Sequence, residues 1–160
     1  MAETIKFSLL GGDQIAMKLK ALGYDAKYRG GRFALRKAAL ALEAHVRANA
    51  ERIDDPQTQN AVPLNVATRW NGKLFETTGN LGFRVGIRGG AGGNKPKGFY
   101  AGNPGGDTRY WRHIEFGTSK MPAQPFMRRA MSENVDEITR VFVDEFGAAL
   151  TRAIKRASNV

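Results

Sequence analysis

The sequence predicts an α+β domain: a small, mainly antiparallel sheet with helices packed on one face and a long C-terminal helix. Three observations predict it. Residues 4–10 and 82–89 alternate apolar and polar side chains, the pattern of half-buried strands. Apolar positions recur every three or four residues over 35–53 and again over 131–157, the helical period. The segments between them carry the glycines and prolines of turns. With 160 residues, 42% of them hydrophobic, a single domain spanning 1–160 can bury a core.

Taken in order, Ile5, Phe7 and Leu9 alternate with Thr4, Lys6 and Ser8, giving a first strand. Gly11 and Gly12 break it, and Asp13 stands as the N-cap of a short helix that buries Ile15, Leu19 and Leu22. Gly23 is the expected stop of that helix. Leu35, Ala39, Leu42, Val46, Ala50 and Ile53 then form one stripe of a second helix, ended by Asp54, Asp55 and Pro56. Arg36, Lys37, Arg47 and Arg52 fall off the stripe and are expected to face solvent or a partner. Residues 56–80 show no sustained period and read mainly as loop.

GFRVGIRG, residues 82–89, is a second strand, with Arg84 and Arg88 on its outer, basic face. Residues 89–106 hold eight glycines and two prolines and are expected to form a flexible loop outside the core. TRYWRHIEF, residues 108–116, reads as a third strand. From Phe126 onward the pattern is helical, with Met131, Val135, Ile138, Phe142, Phe146, Leu150, Ile154 and Ala157 on one stripe. Acidic residues crowd its early turns and basic residues its end, an order that suits the helix dipole. Gly147 is the expected point of bending. About 30 helical residues span roughly 45 Å, more than a small sheet needs. Met131, Val135 and Ile138 are therefore expected in the core, and Leu150 and Ile154 at a contact with another subunit.

The formal charge of +10 is unevenly placed. Residues 69–112 carry eight basic groups against two acidic ones, whereas residues 113–160 are nearly balanced at seven against six. A field of this kind favours a polyanion or an acidic protein partner. The chain has no cysteine, which removes disulfides and thiolate metal sites and suits a reducing cytosol. Neither a secretory leader nor an apolar run of about 20 residues is evident, so a soluble intracellular protein with no membrane partner is expected.

No catalytic, metal or cofactor set emerges. A P-loop needs glycine before its lysine and a hydroxyl after it; here Asn94 precedes Lys95 and Pro96 follows. His113 and Glu115, two residues apart on the expected third strand, have the types of a general base and its orienting partner. No nucleophile, second acid or ligand set accompanies them, so a packing or salt-linked pair is the simpler reading. His45 is expected to be half-buried and structural. Nucleic-acid contact has more support. Arg84, Arg88, Lys95, Lys97, Arg109 and Arg112 are interleaved with Phe83, Phe99, Tyr100, Tyr110 and Trp111, a mixture able to take phosphates and stack on unpaired bases. No helix-turn-helix, zinc-finger or RRM signature is present, so the alternative function is that of a basic, non-specific DNA-binding accessory protein.

One junction stands out. In YWRHIEFGTSKMPAQPFMRRAM, residues 110–131, an aromatic segment halts at Gly117, Pro122 and Pro125 stiffen the chain, and Phe126 opens the long helix. This stretch, with TTGNL at Thr77–Leu81, IEFGT at Ile114–Thr118 and PFMRRAM at Pro125–Met131, resembles the gene-product-ten-like family of tail-completion or head–tail joining (neck) proteins of long-tailed, lambdoid and related bacteriophages. The resemblance covers most of the chain and rests on the order and spacing of short motifs; the glycine-rich insertion departs from the family pattern. It implies a virion structural protein without catalysis or cofactor. Such a protein assembles in the host cytoplasm into an oligomeric ring, a hexamer or alternatively a dodecamer. The ring would contact other connector and tail proteins, with non-specific contact with packaged DNA as a further expectation. On this reading Trp111, Glu115, Phe116, Gly117, Pro122, Pro125, Phe126, Leu150 and Ile154 are the hinge and interface candidates. Arg84, Arg88, Lys95 and Lys97 are the candidates for contact with DNA or an acidic partner.

Overall fold

The computed structural model describes residues 23–54, 60–89 and 102–158. The strand expected at 4–10 and the helix expected to follow it lie outside these residues, as do Lys95 and Lys97. Gly23 does not stop a helix. It is itself helical, and the chain passes through a π-helical turn, Asp25–Gly30, straight into α1, Gly31–Glu51. An isolated glycine within a helix costs only about 1 kcal/mol, and packing of the turn against the C-terminal helix offsets it.

Seven of the 21 residues of α1 are alanine, which favours the helix and keeps its surface thin. Val46 and Ala50 of the expected stripe are buried, while Leu35, Ala39, Leu42 and Ile53 are half-buried. Ala34 and Ala38 are more deeply buried than the stripe predicts. The reason is that α1 is covered on two sides, by the C-terminal helix and by the sheet, so burial spreads over a wide arc. Arg36, Lys37 and Arg52 are exposed as expected. Arg47 is not given to solvent: its guanidinium donates to Glu43 Oε1 at 2.7 Å and to the carbonyls of Pro63 and Val66 at 3.3 Å each.

The segment read as loop holds three elements: α2 (Val62–Asn65), β1 (Val66–Trp70) and α3 (Gly72–Thr78). Each is seven residues or fewer, too short to show a period. Local chemistry fixes their ends. Asn71 Oδ1 accepts the Leu74 N–H at 3.3 Å, and Gly79, at φ 68°, closes α3 by donating to Phe75 O. TTGNL is therefore a helix exit leading into β2, Phe83–Ile87. β1 and β2 pair antiparallel, with Val66 opposite Ile87 and Trp70 opposite Phe83. Val66, Thr68, Trp70, Phe83, Val85 and Ile87 share one face, which α1 covers; Thr68 Oγ1 donates to Ala39 O at 3.3 Å across that interface. Among the described residues the sheet has these two strands only.

The third expected strand is a helix, α4, Trp111–Phe116. Tyr110, Trp111, Ile114 and Glu115 turn inward while Arg112, His113 and Phe116 are exposed. That spacing of 1, 3 and 1 is a helical face, and the β-propensity of the aromatics misled the reading. His113 and Glu115 consequently point apart, and no His–Glu pair exists there. His45, by contrast, is half-buried with Nε2 3.1 Å from Glu137 Oε2.

The last element, α5, runs over Phe126–Ser158, 33 residues or about 50 Å. It lies antiparallel to α1: Asn49 Nδ2 donates to Phe126 O at one end, and Gly31 abuts Phe146 at the other. The bend falls at Asn134 (φ −126°, ψ 16°), whose Nδ2 bonds Ala130 O at 2.9 Å, and not at Gly147. Phe126 and Ala130 are buried before the break, Ala149 and Ala153 after it. Met131 and Val135, expected in the core, flank this break and are each 45% exposed. Ile138, expected in the core, is only half-buried; Phe142, Phe146 and Leu150 are half-buried, and Ile154 is 50% exposed.

Candidate functional site

The elbow between α4 and α5 is built around one buried carboxylate. Glu115 is 1% exposed. Its Oε2 accepts the backbone N–H of Met127 at 2.9 Å, and Oε1 accepts that of Arg128 at 3.1 Å. Arg128 Nε donates to the same Oε1 at 3.0 Å, and Arg128 Nη2 donates to the Glu115 carbonyl at 2.7 Å. The first turn of a helix leaves N–H groups without internal partners and carries partial positive charge. A carboxylate from the preceding helix meets both needs. Glu115 thus acts as a cap delivered from 12 residues upstream.

The intervening loop is held as tightly. Gln124 N–H donates to Ile114 O at 2.7 Å, and Thr118 and Met121 exchange backbone bonds across a narrow turn. Gly117 takes φ 73° and ψ 177°, a region open essentially to glycine alone. A β-carbon there would lie 2.7 Å from Ala123 N and 2.9 Å from Met121 O. Pro122 is exposed and Pro125, half-buried, immediately precedes α5. Phe126, 2% exposed, enters the core with Val46, Ala50, Val62 and Ala130, and Trp111 packs against that cluster. Phe116 projects from the elbow at 61% exposure, with the Arg128 guanidinium 5.1 Å from its ring centre. Of the elbow candidates, then, Glu115, Gly117 and Phe126 are internal fixtures, and Phe116 and Pro122 are the outward ones. Leu150 and Ile154 lie far along α5 from them.

A second fixed point was not foreseen. The end of the glycine-rich run is part of the interior, against the expectation that none of it would be. Asn65, fully buried, donates through Nδ2 to Gly106 O and Thr108 Oγ1 and accepts the Gly105 N–H at 2.9 Å. Ala61 N–H bonds Gly105 O, and Tyr110 Oη donates to Asn60 O. Gly105 has no room for a side chain beside the Ala61 carbonyl, and Gly106 takes φ 70°. Glycine is present there for close backbone approach. This node brings the chain back to Thr108 at the threshold of α4.

Arg84 is exposed on the outer face of the β1–β2 ribbon, and Arg88 is exposed just beyond β2. The aromatics expected to interleave with them do not. Phe83 and Trp70 stack edge-to-face at 5.2 Å on the opposite side, and Tyr110 and Trp111 belong to the core. Arg109 forks onto Asp107 at 2.7–3.1 Å. Sequence reasoning missed Arg69, which the register sets opposite Arg84; it sat in the supposed loop. Among the described residues no cluster of three or more His, Asp or Glu side chains could hold a metal, and no helix is long and apolar enough to cross a membrane. No known protein family, curated protein or solved structure matches this chain.

Proposed function

We propose that the protein is a structural assembly subunit, a tail-completion or head–tail joining component of a bacteriophage neck ring, with no catalytic role. The observation that carries this reading is the elbow. A buried carboxylate, a glycine-only backbone turn and a core phenylalanine together fix the direction of a 33-residue helix. In a ring of identical subunits a rigidly set angle of this kind determines closure. Val143 and Ile154, 58% and 50% exposed on that helix, supply apolar contact points for a neighbour. The motifs that resemble neck proteins, IEFGT and PFMRRAM, are the two halves of the elbow, so the resemblance and the rigid geometry fall on the same residues.

Negative-stain imaging of the purified chain, alone and mixed with tails and DNA-filled heads from a phage lacking its own completion protein, tests the reading. Discrete rings, or density added at the head-proximal end of the tail, are the expected result. A monomer at all concentrations that attaches to neither particle would rule it out.

A further inference from the structure

The outer face of the β1–β2 ribbon has a composition that the assembly reading does not use. Strand alternation places Ala67, Arg69, Arg84, Gly86 and Arg88 on it together. Arg69 and Arg84 are direct cross-strand partners, and the Asn65–Arg88 and Asn71–Gly82 backbone bonds on either side make theirs a hydrogen-bonded pair. Their Cα atoms are therefore about 5.5 Å apart. Arg88 lies four residues beyond Arg84, about 13 Å along the strand. Like charges directly opposite each other weaken a sheet. None of the three guanidinium groups has a carboxylate within ion-pair distance among the described residues.

Between the arginines the floor is bare. Ala67 and Gly86 face each other across the ribbon, and among the described residues a β-carbon added at Gly86 would meet nothing within 4 Å. The depression, about 490 Å³, is walled by Arg69, Arg84, Arg88, Gly89 and Asn103. Asn103, which also lines the depression, has a buried Nδ2 with no hydrogen-bond partner among the described residues.

We propose that this face binds the phosphate backbone of duplex DNA, with Arg69, Arg84 and Arg88 as the phosphate contacts. Guanidinium groups match phosphate oxygens in bidentate geometry, and a two-stranded ribbon is of a size to lie against the grooves of a duplex. Two features of the described residues favour this ligand. Among them the face carries no large aliphatic or aromatic anchor, which a protein interface relies on for most of its binding energy. Nor do they supply an aromatic platform of the kind single-stranded nucleic acid uses for stacking, since Trp70 and Phe83 lie on the opposite face of the ribbon. Charge over a bare floor is the make-up of a sequence-independent backbone contact. The proposal concerns the isolated chain and does not depend on ring formation.

The test is fluorescence anisotropy with a labelled 20-base-pair duplex of arbitrary sequence, over a salt series, using the full chain. Wild type is expected to bind with affinity that falls steeply with salt. Arg69→Gln/Arg84→Gln/Arg88→Gln should weaken binding about tenfold or more and flatten the log–log salt slope by about 2 to 3, since each phosphate contact contributes about 0.9. Lys73→Gln/Arg140→Gln/Lys155→Gln, with equal charge loss at exposed sites elsewhere, should leave most of both intact. Gly86→Glu sets a carboxylate among the guanidiniums, clear of the other described residues; it should abolish binding and melt no lower than wild type. If the two triple variants behave alike, or Gly86→Glu binds as wild type does, the proposal fails. It fails equally if wild type ignores the duplex and binds polyglutamate through these arginines.

Discussion

The Glu115 carboxylate receives the Met127 backbone N–H at 2.9 Å, so the last turn of one helix caps the first turn of the next. The two helices cannot rotate independently without uncovering a charge that is otherwise fully enclosed. Glu115→Gln keeps the shape and removes the charge, and its NH2 would face an N–H that needs an acceptor. Hydrogen bonds to a charged group are worth about 1.5–3 kcal/mol, and a loss of that order is expected in chemical denaturation. Arg128→Ala should cost less than 1 kcal/mol, because that side chain is 59% exposed and its ion pair is screened. Equal losses for the two variants would mean that the ion pair, and not the cap, holds the elbow.

Gly117→Ala tests the same elbow through the backbone. The φ 73°, ψ 177° conformation costs a residue with a β-carbon about 1–3 kcal/mol, and the new methyl would press on the backbone at Ala123 and Met121. Thermal denaturation should show a clearly lowered midpoint. A midpoint unchanged within error would show that the turn relaxes freely and does not fix the direction of α5.

Phe126→Ala removes the ring that anchors α5 in the core, where it packs with Val46, Ala50, Val62 and Ala130. The expected loss is about 3–5 kcal/mol, seen as a shift in the denaturation midpoint. With Phe126 only 2% exposed, loss of assembly in a variant of wild-type stability is excluded as an outcome of this packing, and observing it would place the ring at a subunit boundary.

How far the sequence disclosed this arrangement depended on the length over which each signal could be averaged. α1 and α5 were legible because their periods persist over many turns. β2 was legible because Phe83, Val85 and Ile87 alternate cleanly with Arg84, Gly86 and Arg88. β1 was not: Ala67 and Thr68 suit either environment, and five residues give a pattern no statistical weight. Its loss concealed Arg69 as well. At α4 the residue types suggested strand, while the inward spacing of Tyr110, Trp111, Ile114 and Glu115 was helical, and tertiary burial prevailed over propensity. The break at Asn134 was hidden because asparagine there bonds back to Ala130 O, a side-chain choice that no period reveals. Of the elbow, the glycine and Phe126 could be named in advance; the capping role of Glu115 could not, since it joins two helices across a turn whose shape was unknown.

The far end of α5 gives a contrast between neighbouring helical faces. Ala153 is 4% exposed, and Ile154, the next residue, is 50% exposed. The buried face there packs by the π-helical turn, where Gly30, Ala149 and Arg152 wall a small cleft. Ala153→Asp would bury a charge and should destabilise the chain by several kcal/mol. Ile154→Asp together with Val143→Asp alters only the outer face and should stay within about 0.5 kcal/mol per site, while reducing ring formation or attachment to the tail. Deleting residues 148–160 combines the two effects, since it takes away Ala149 and Ala153 along with Ile154. The truncated chain should therefore remain folded at its elbow but melt below the full chain, in addition to assembling poorly. Circular dichroism and size-exclusion chromatography on the three variants separate the contributions. Normal assembly by the doubly substituted Val143→Asp/Ile154→Asp chain would show that this face of the helix is ordinary surface, and the ring contact would then have to be sought at Phe116.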